Sequence, residues 1–126
     1  RWWWIGAAAG SLLVALALGM WIDTHPSVQR SLLPPEEVRQ LAGLLERRFS
    51  ISVIWASTQG ASRFNEYAQA LHPVAPGTLT ARLTELERAG ILSRRLIDDR
   101  PPRVEYRVTA RGERVAAAVA LLGEIA

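Results

Sequence analysis

Residues 78–109 read TLTARLTELERAGILSRRLIDDRPPRVEYRVT. Leu79, Leu83 and Leu86 recur at a spacing that places them on one side of a helix. Gly90 follows, at a position where a residue of left-handed conformation commonly ends a helix. Two β-rich segments, ILSRRLI and RVEYRVT, then flank DDRPP, which is typical of a hairpin. The stretch therefore predicts a helix followed directly by two paired strands.

A shorter helix is predicted just before this one. In SRFNEYAQALHP, Phe64, Tyr67 and Leu71 share a face, and Pro73 stops the helix. Pro76 suits the first turn of the next helix. Two helices joined by a few residues, the second carrying polar and basic residues opposite its leucines, are typical of a helix-turn-helix. With the hairpin added, the pattern predicts a winged helix, in which a helix enters a DNA major groove and the hairpin reaches the neighbouring backbone or minor groove.

Helical periodicity continues on both sides of this segment, so the predicted fold class is mainly α with a small β-hairpin (α+β). A helix begins at Pro35, which suits the first helical position. A second apolar run, residues 51–56, continues the core as helix with Trp55 as its large anchor. Thr109 is predicted to cap the last helix. The predicted buried faces comprise Val38, Leu41, Leu44, Leu45 and Phe49 in the first helix, and Val115, Val119 and Leu122 in the last.

Residues 2–22, WWWIGAAAGSLLVALALGMWI, contain no charged residue and approach the ~20 residues that cross a bilayer as a helix. Tryptophans near both ends match interfacial belts, and Gly6 and Gly10 form a small-xxx-small pattern. A transmembrane helix, a signal peptide, a buried dimerisation helix and a misplaced gene start remain alternatives. The predicted organisation is an extra apolar N-terminal helix (1–22), a linker (23–35) and a winged helix-turn-helix DNA-binding domain (36–126).

The amino-acid composition limits the classes of function open to this protein. Of 126 residues none is cysteine, which excludes thiolate catalysis and cysteine-ligated metals. Every basic side chain apart from two histidines is arginine, which favours bidentate contact with phosphate or carboxylate. Ten arginines and seven acids lie between Arg63 and Arg114, so the formal charge of +3 resides in that segment. This excess is compatible with a polyanion partner.

Catalysis has no support in the sequence. Nucleophile elbow, Walker loop and dinucleotide fingerprint are all missing. His25 and His72 lie in different connections, and the scattered carboxylates show no metal-ligand spacing. The prediction is a protein that is not an enzyme, with no metal, no cofactor and no small-molecule ligand.

Three segments in order, RFNEY, TLTARLTELERAGILSRR and PPRVEYRVTARGE, resemble the HxlR-type winged-helix transcription regulators over about residues 38–122. The resemblance implies a homodimeric bacterial regulator that binds double-stranded DNA in a sequence-specific way, with terminal helices forming the dimer contact. The implied location is cytoplasmic, or tethered to the cytoplasmic face of the membrane through residues 2–22. A different hypothesis is a membrane-tethered module whose winged helix binds protein.

The resemblance also implies which residues contact DNA. The implied recognition-helix residues are Thr78, Thr80 and Arg82; the wing residues are Arg94, Arg95, Arg100 and Arg103; and Arg63 and Asn65 lie near phosphate at the start of the preceding helix.

Local chemistry leaves alternatives open for several of these residues. Arg82 could instead be a solvated charge or the ion-pair partner of Glu85 or Glu87, and the two threonines could simply start the helix. Arg94 and Arg95 are adjacent on a strand and must point to opposite faces, so only one can face DNA directly. The other two wing arginines are also placed to pair with the aspartates of the hairpin tip.

The chain departs from the family pattern at several positions. Ala75 stands where a serine usually caps the recognition helix, a change that typically removes ~1 kcal/mol. Gly77 occupies a position that is often basic, which removes one phosphate contact. The cysteine sensor of some relatives is absent.

Overall fold

The computed structural model describes Val14, residues 16–18, Met20 and residues 32–126. The chain divides into two compact units, Arg1–Gln40 and Leu41–Ala126. The elements from residue 36 onward are α1 (Glu36–Leu45), α2 (Ser50–Thr58), α3 (Phe64–Ala70), α4 (Pro76–Arg88), β1 (Leu92–Ile97), β2 (Arg103–Val108) and α5 (Ala110–Ile125). The predicted fold class, mainly α with one hairpin, is confirmed.

The connection between α1 and α2 interrupts what the sequence suggested was nearly continuous helix. Phe49 adopts the left-handed region, with φ 72°, which breaks the helical path just before α2. Leu41, Leu44 and Leu45 pack against the core as expected. The prediction that Val38 is buried is wrong, because this side chain is 51% exposed.

The core of the second unit collects buried side chains from the four helices α2 to α5 and from the start of the hairpin. Its buried side chains are Val53, Ile54 and Ala56 from α2, Tyr67 from α3, Leu79, Leu83 and Leu86 from α4, Ile91 and Leu92 at the start of the hairpin, and Val115 and Ala116 from α5. The three leucines predicted for α4 are therefore its buried face.

Two predicted core residues lie outside this core. Trp55 is 48% exposed, because it falls off the α2 face formed by Ser50, Val53 and Ile54. Leu122 is also exposed, because the buried positions of α5 end at Val119. The predictions for both side chains are wrong.

The hairpin is antiparallel, and its base is fixed to the core. Leu92 pairs with Val108 at the open end of the hairpin, next to the core. Gly90 has φ 73° and ends α4, as its position predicts. The Thr109 hydroxyl accepts from Gly112 N at 3.0 Å, so the predicted cap of α5 is confirmed. The Thr109 backbone N–H donates to Ile91 O at 3.0 Å, which joins the end of β2 to the start of β1.

The predicted N-terminal helix and linker lie almost wholly outside the described residues. Val14, residues 16–18 and Met20 are helical. Within the described part of the chain, no helix has the length and apolar character needed to cross a membrane. Most of residues 2–22, on which those alternatives depend, lie outside that part.

Candidate nucleic-acid interface

The face of α4 opposite its buried leucines carries small polar and basic side chains. Thr80, Thr84 and Arg88 follow one another at four-residue spacing, which places them in one row along the helix. Thr80 and Arg88 are exposed, and Thr84 is half-buried. Of these three residues only Thr80 was predicted to contact DNA, although the four-residue spacing from Thr80 also marks Thr84 and Arg88.

The two threonines selected from the sequence differ in environment. Thr78 is half-buried, whereas Thr80 is exposed. The Thr80 hydroxyl donates to Pro76 O at 2.9 Å, one helical turn earlier. Its proton is therefore engaged with the backbone, and its oxygen remains an acceptor for an incoming donor.

Arg82 lies beside the leucine face of α4 rather than in the outer row. Its side chain is only 13% exposed, and its guanidinium forms an ion pair with Glu85. Glu85 also pairs with Arg47 Nη2, at 3.0 Å from its Oε1. Of the alternatives open at the sequence level, the ion pair with Glu85 is the one that the geometry displays. Direct contact of Arg82 with DNA stays a prediction.

The start of α4 leaves backbone donors open. Ala75 occupies the N-cap position in extended conformation and provides no side-chain cap, and Pro76 lies at the first helical position. The first N–H groups of a helix lack internal partners and carry positive potential. When no side chain caps such an end, its free N–H groups can donate to a phosphate oxygen.

Glu66 fixes the start of α3. One carboxylate oxygen accepts from Ser62 N at 2.8 Å and from Arg63 N at 3.4 Å. The backbone hydrogen bond from Ser62, followed by that from Arg63, lowers the pKa of Glu66 below its ordinary value. The predicted residues Arg63 and Asn65 are both exposed at this end of the helix.

The wing contains arginines of two kinds. Arg103 Nη1 lies 2.7 Å from Asp99 Oδ2, and its Nε donates to Glu105 Oε1 at 3.1 Å. Arg94 and Arg95 lie in β1 and Arg100 in the connection to β2, and all three are exposed. Within the described residues, these three guanidinium groups have no carboxylate partner within 4.0 Å. The charge of Arg103 is therefore largely compensated, while those three charges are open to a polyanion.

The two adjacent arginines of β1 belong to opposite faces of the hairpin. Arg94 pairs with Tyr106 and Arg95 with Glu105 in the strand register. Paired residues in an antiparallel ladder share a face. Arg94 therefore belongs to the face of Tyr106, and Arg95 to the face that carries the carboxylate of Glu105.

The wing is fixed relative to α3 by its backbone and by aromatic packing. Tyr106 N donates to Ser62 O, in the connection before α3, at 2.7 Å. The rings of Tyr67 and Tyr106 meet edge to face with centroids 6.3 Å apart. The wing and the start of α3 therefore form one rigid arrangement.

Two short helices, a third helix with a polar outer row and an arginine-bearing hairpin define a winged helix-turn-helix protein. Residues 44–126 match the family model described as HxlR-like helix-turn-helix. The chain belongs to this family.

Individual relatives agree with the family assignment. An uncharacterised HTH-type transcriptional regulator of Synechocystis is 37% identical over 78 residues, which cover 62% of this chain and 58% of the relative. The uncharacterised HTH-type transcriptional regulator YvaP of Bacillus subtilis is 34% identical over 82 residues, 65% of this chain and 73% of the relative. The chain thus matches little more than half the length of the Synechocystis protein.

Solved structures show the same fold. A transcriptional regulator of the MarR family from Enterococcus faecalis superposes with a TM-score of 0.65 at 29% identity, over 73% of this chain and 84% of the other. The redox regulator HypR in its reduced form gives a TM-score of 0.65 at 27% identity, over 71% of this chain and 88% of the other.

Proposed function

We propose that this protein is a dimeric transcriptional regulator that binds double-stranded DNA at specific sequences. The observation that supports it most is the outer row of α4, which lies beside an uncapped helix start and a wing with three uncompensated arginines. The names of its relatives, HTH-type transcriptional regulators, point to the same function.

In this proposal α4 lies in the major groove and reads base edges. Threonine can contact a base edge or a thymine methyl, and arginine binds guanine O6 and N7 through two hydrogen bonds. Thr78 and Thr80 remain in the proposed contact set, and Thr84 and Arg88 are added because they continue the outer row. Arg82 is proposed to support this surface indirectly, through its ion pair with Glu85 on the flank of the same helix.

Phosphate contacts supply most of the affinity and fix the register. Arg94 or Arg95, together with Arg100, provides them from the wing, and Arg63 and Asn65 provide them from the start of α3. Arg103 is a weaker candidate, because Asp99 and Glu105 already compensate its charge.

Specific recognition by such a small domain is most effective in a dimer. Two copies related by a twofold axis present two α4 helices to major grooves about 34 Å apart on one side of the duplex. We therefore propose a homodimer that binds a pseudopalindromic site, located in the cytoplasm where bacterial DNA lies.

The experiment is selection of duplexes from a randomised pool by the full chain, followed by fluorescence anisotropy against selected and scrambled duplexes. We expect the selected duplex to bind at least ~10³-fold more tightly at physiological salt. We also expect the affinity to fall steeply as salt rises. Equal affinity for both duplexes would contradict sequence-specific recognition.

A further inference from the structure

A single carboxylate joins the connection between α1 and α2 to the last turn of α4. Glu85 Oε1 lies 3.0 Å from Nη2 of Arg47, which follows α1. The other carboxylate oxygen of Glu85 pairs with Arg82 on α4 itself. Glu85 therefore links two segments that lie far apart in the sequence.

The Arg47 end of this link is anchored by the backbone. Ser50 N donates to Arg47 O at 3.0 Å, and Arg47 N donates to Leu44 O at 3.4 Å. The left-handed Phe49 fixes the turn, and the guanidinium of Arg48 lies 5.0 Å from the centre of the Phe49 ring. Movement of this connection would therefore be passed to Arg47.

The two ion pairs of Glu85 differ in exposure. The Arg82 side chain is 13% exposed and that of Glu85 is 25% exposed, so their pair is sheltered from water. Arg47 is 54% exposed, and pairs at such positions contribute little to folding stability. Loss of Arg47 should thus leave the domain folded while removing one constraint on α4.

Glu85 lies next to the proposed base-contacting row. It follows Thr84 directly and is three residues, less than one turn, before Arg88. A small rotation or tilt of α4 at Glu85 would move both of these side chains relative to a base edge. Hydrogen bonds to bases depend steeply on such geometry.

We propose that Arg47 is a positioning residue which, through Glu85, sets the orientation of α4 and so makes sequence preference depend on the α1–α2 connection. The proposal rests on the proposed function. It also predicts that a signal which displaces this connection changes operator affinity without touching the DNA interface.

The test compares Arg47→Ala, Arg47→Lys, Glu85→Gln and the double variant Arg47→Ala/Glu85→Gln with the wild-type full chain. Dissociation constants for selected and scrambled duplexes are measured over a range of salt. We expect Arg47→Ala to reduce the ratio of the two constants by about two- to fivefold. Affinity for the scrambled duplex and its salt dependence should stay as in the wild type, and Arg47→Lys should restore most of the ratio.

Glu85→Gln and the double variant separate positioning from direct phosphate contact. If Arg47 acts through Glu85, Glu85→Gln lowers the ratio and the double variant is no worse than the more affected single variant. If Arg47 instead binds phosphate, Arg47→Ala weakens binding to both duplexes equally and reduces the salt slope by about one contact, which overturns the proposal. Urea unfolding of each variant identifies loss of binding that comes from unfolding.

Arg39→Ala provides the matched control, because Arg39 also forms an exposed ion pair, with Glu36 within α1. We expect it to leave the ratio unchanged. A wild-type chain that does not discriminate the two duplexes would defeat the proposed function itself. A discriminating wild type with an unchanged ratio in Arg47→Ala would defeat only the positioning role.

Discussion

The hydroxyl oxygen of Tyr67 on α3 lies 2.8 Å from Ser57 Oγ on α2, within the core. Ser57 Oγ is also 2.8 Å from Val53 O, and Tyr67 Oη is 2.9 Å from Ala61 O. Only the two hydroxyl groups can donate a proton among these three oxygen–oxygen contacts, so at any moment one of the contacts lacks a hydrogen bond of its own. This polar cluster joins α2, the connection after it and α3, and burial raises the pKa of Tyr67.

Replacing Tyr67 by Phe should destabilise the domain by about 1–2 kcal/mol, because Ala61 O and Ser57 Oγ lose a buried partner. The ring and its edge-to-face contact with Tyr106 remain. Chemical denaturation followed by circular dichroism measures the change. Tyr106→Phe is the control and should stay within ~0.5 kcal/mol. Equal losses in both variants would show that the hydroxyl cluster contributes nothing specific.

Gly112, in the first turn of α5, approaches the start of the hairpin too closely for any side chain. A methyl carbon there would lie 2.1 Å from Ile91 O and 2.8 Å from Val108 Cγ1. We expect Gly112→Ala to cost about 1–3 kcal/mol through overpacking, despite alanine's better helix propensity. Gly123→Ala in the same helix meets no atom within 4 Å and should be neutral or stabilise by up to ~1 kcal/mol. Thermal unfolding of both variants makes the comparison, and a stabilised Gly112→Ala would contradict the close approach.

Local sequence patterns predicted the features that depend on neighbouring residues. Leucine spacing predicted the buried face of α4, Gly90 predicted its end, and Thr109 predicted the cap of α5. Each of these follows from helix periodicity or from the chemistry of a helix terminus.

Features set by distant packing could not be predicted in the same way. Trp55 is apolar and helical, yet its exposure depends on which side of α2 meets the rest of the core. Arg82 is sheltered because it pairs with Glu85. Glu85 also pairs with Arg47, which lies far away in the sequence, so local spacing could not indicate this arrangement. The left-handed Phe49 violates the usual preference for glycine, so no local signal marked it.

The start of α4 lacks a side-chain cap, and one substitution should supply it. Ala75 has the extended conformation of an N-cap, with φ −66° and ψ 136°, but no side-chain acceptor. We expect Ala75→Ser to stabilise the domain by about 0.5–1 kcal/mol, because the serine oxygen can accept from a backbone N–H of the first turn. Differential scanning calorimetry measures the gain. Ala75→Val has no acceptor and should not stabilise; a gain of the same size from valine would exclude capping as its cause.

Acidification should reduce the stabilisation that Glu66 gives to the start of α3. The pKa of Glu66 is lowered in the folded state from its ordinary value of 4.5. Its contribution is therefore fully present above about pH 4.5 and is lost as pH falls through the lower, folded-state pKa. Glu66→Gln retains an acceptor for the cap but removes the charge.

The wild type should be more stable than Glu66→Gln at neutral pH, and the difference should shrink on acidification below pH 4.5. Urea titrations over this range measure it. Glu46→Gln, an exposed acid after α1, controls for the general loss of one negative charge. A difference from Glu66→Gln that is independent of pH would contradict an ionised cap.

An exposed arginine of the wing and an exposed arginine of α4 should have separable effects on DNA binding. Arg100 lies in the wing connection without a carboxylate partner among the described residues, so Arg100→Ala should weaken selected and scrambled duplexes alike and lower the salt slope by about one contact. Arg88 continues the outer row of α4, so Arg88→Ala should mainly reduce affinity for the selected duplex, by the ~1–3 kcal/mol of one base contact. Anisotropy titrations at several salt concentrations distinguish these effects. If Arg88→Ala instead reduced the affinity for both duplexes equally, Arg88 would contact phosphate. Base recognition would then depend on the threonines earlier in the helix.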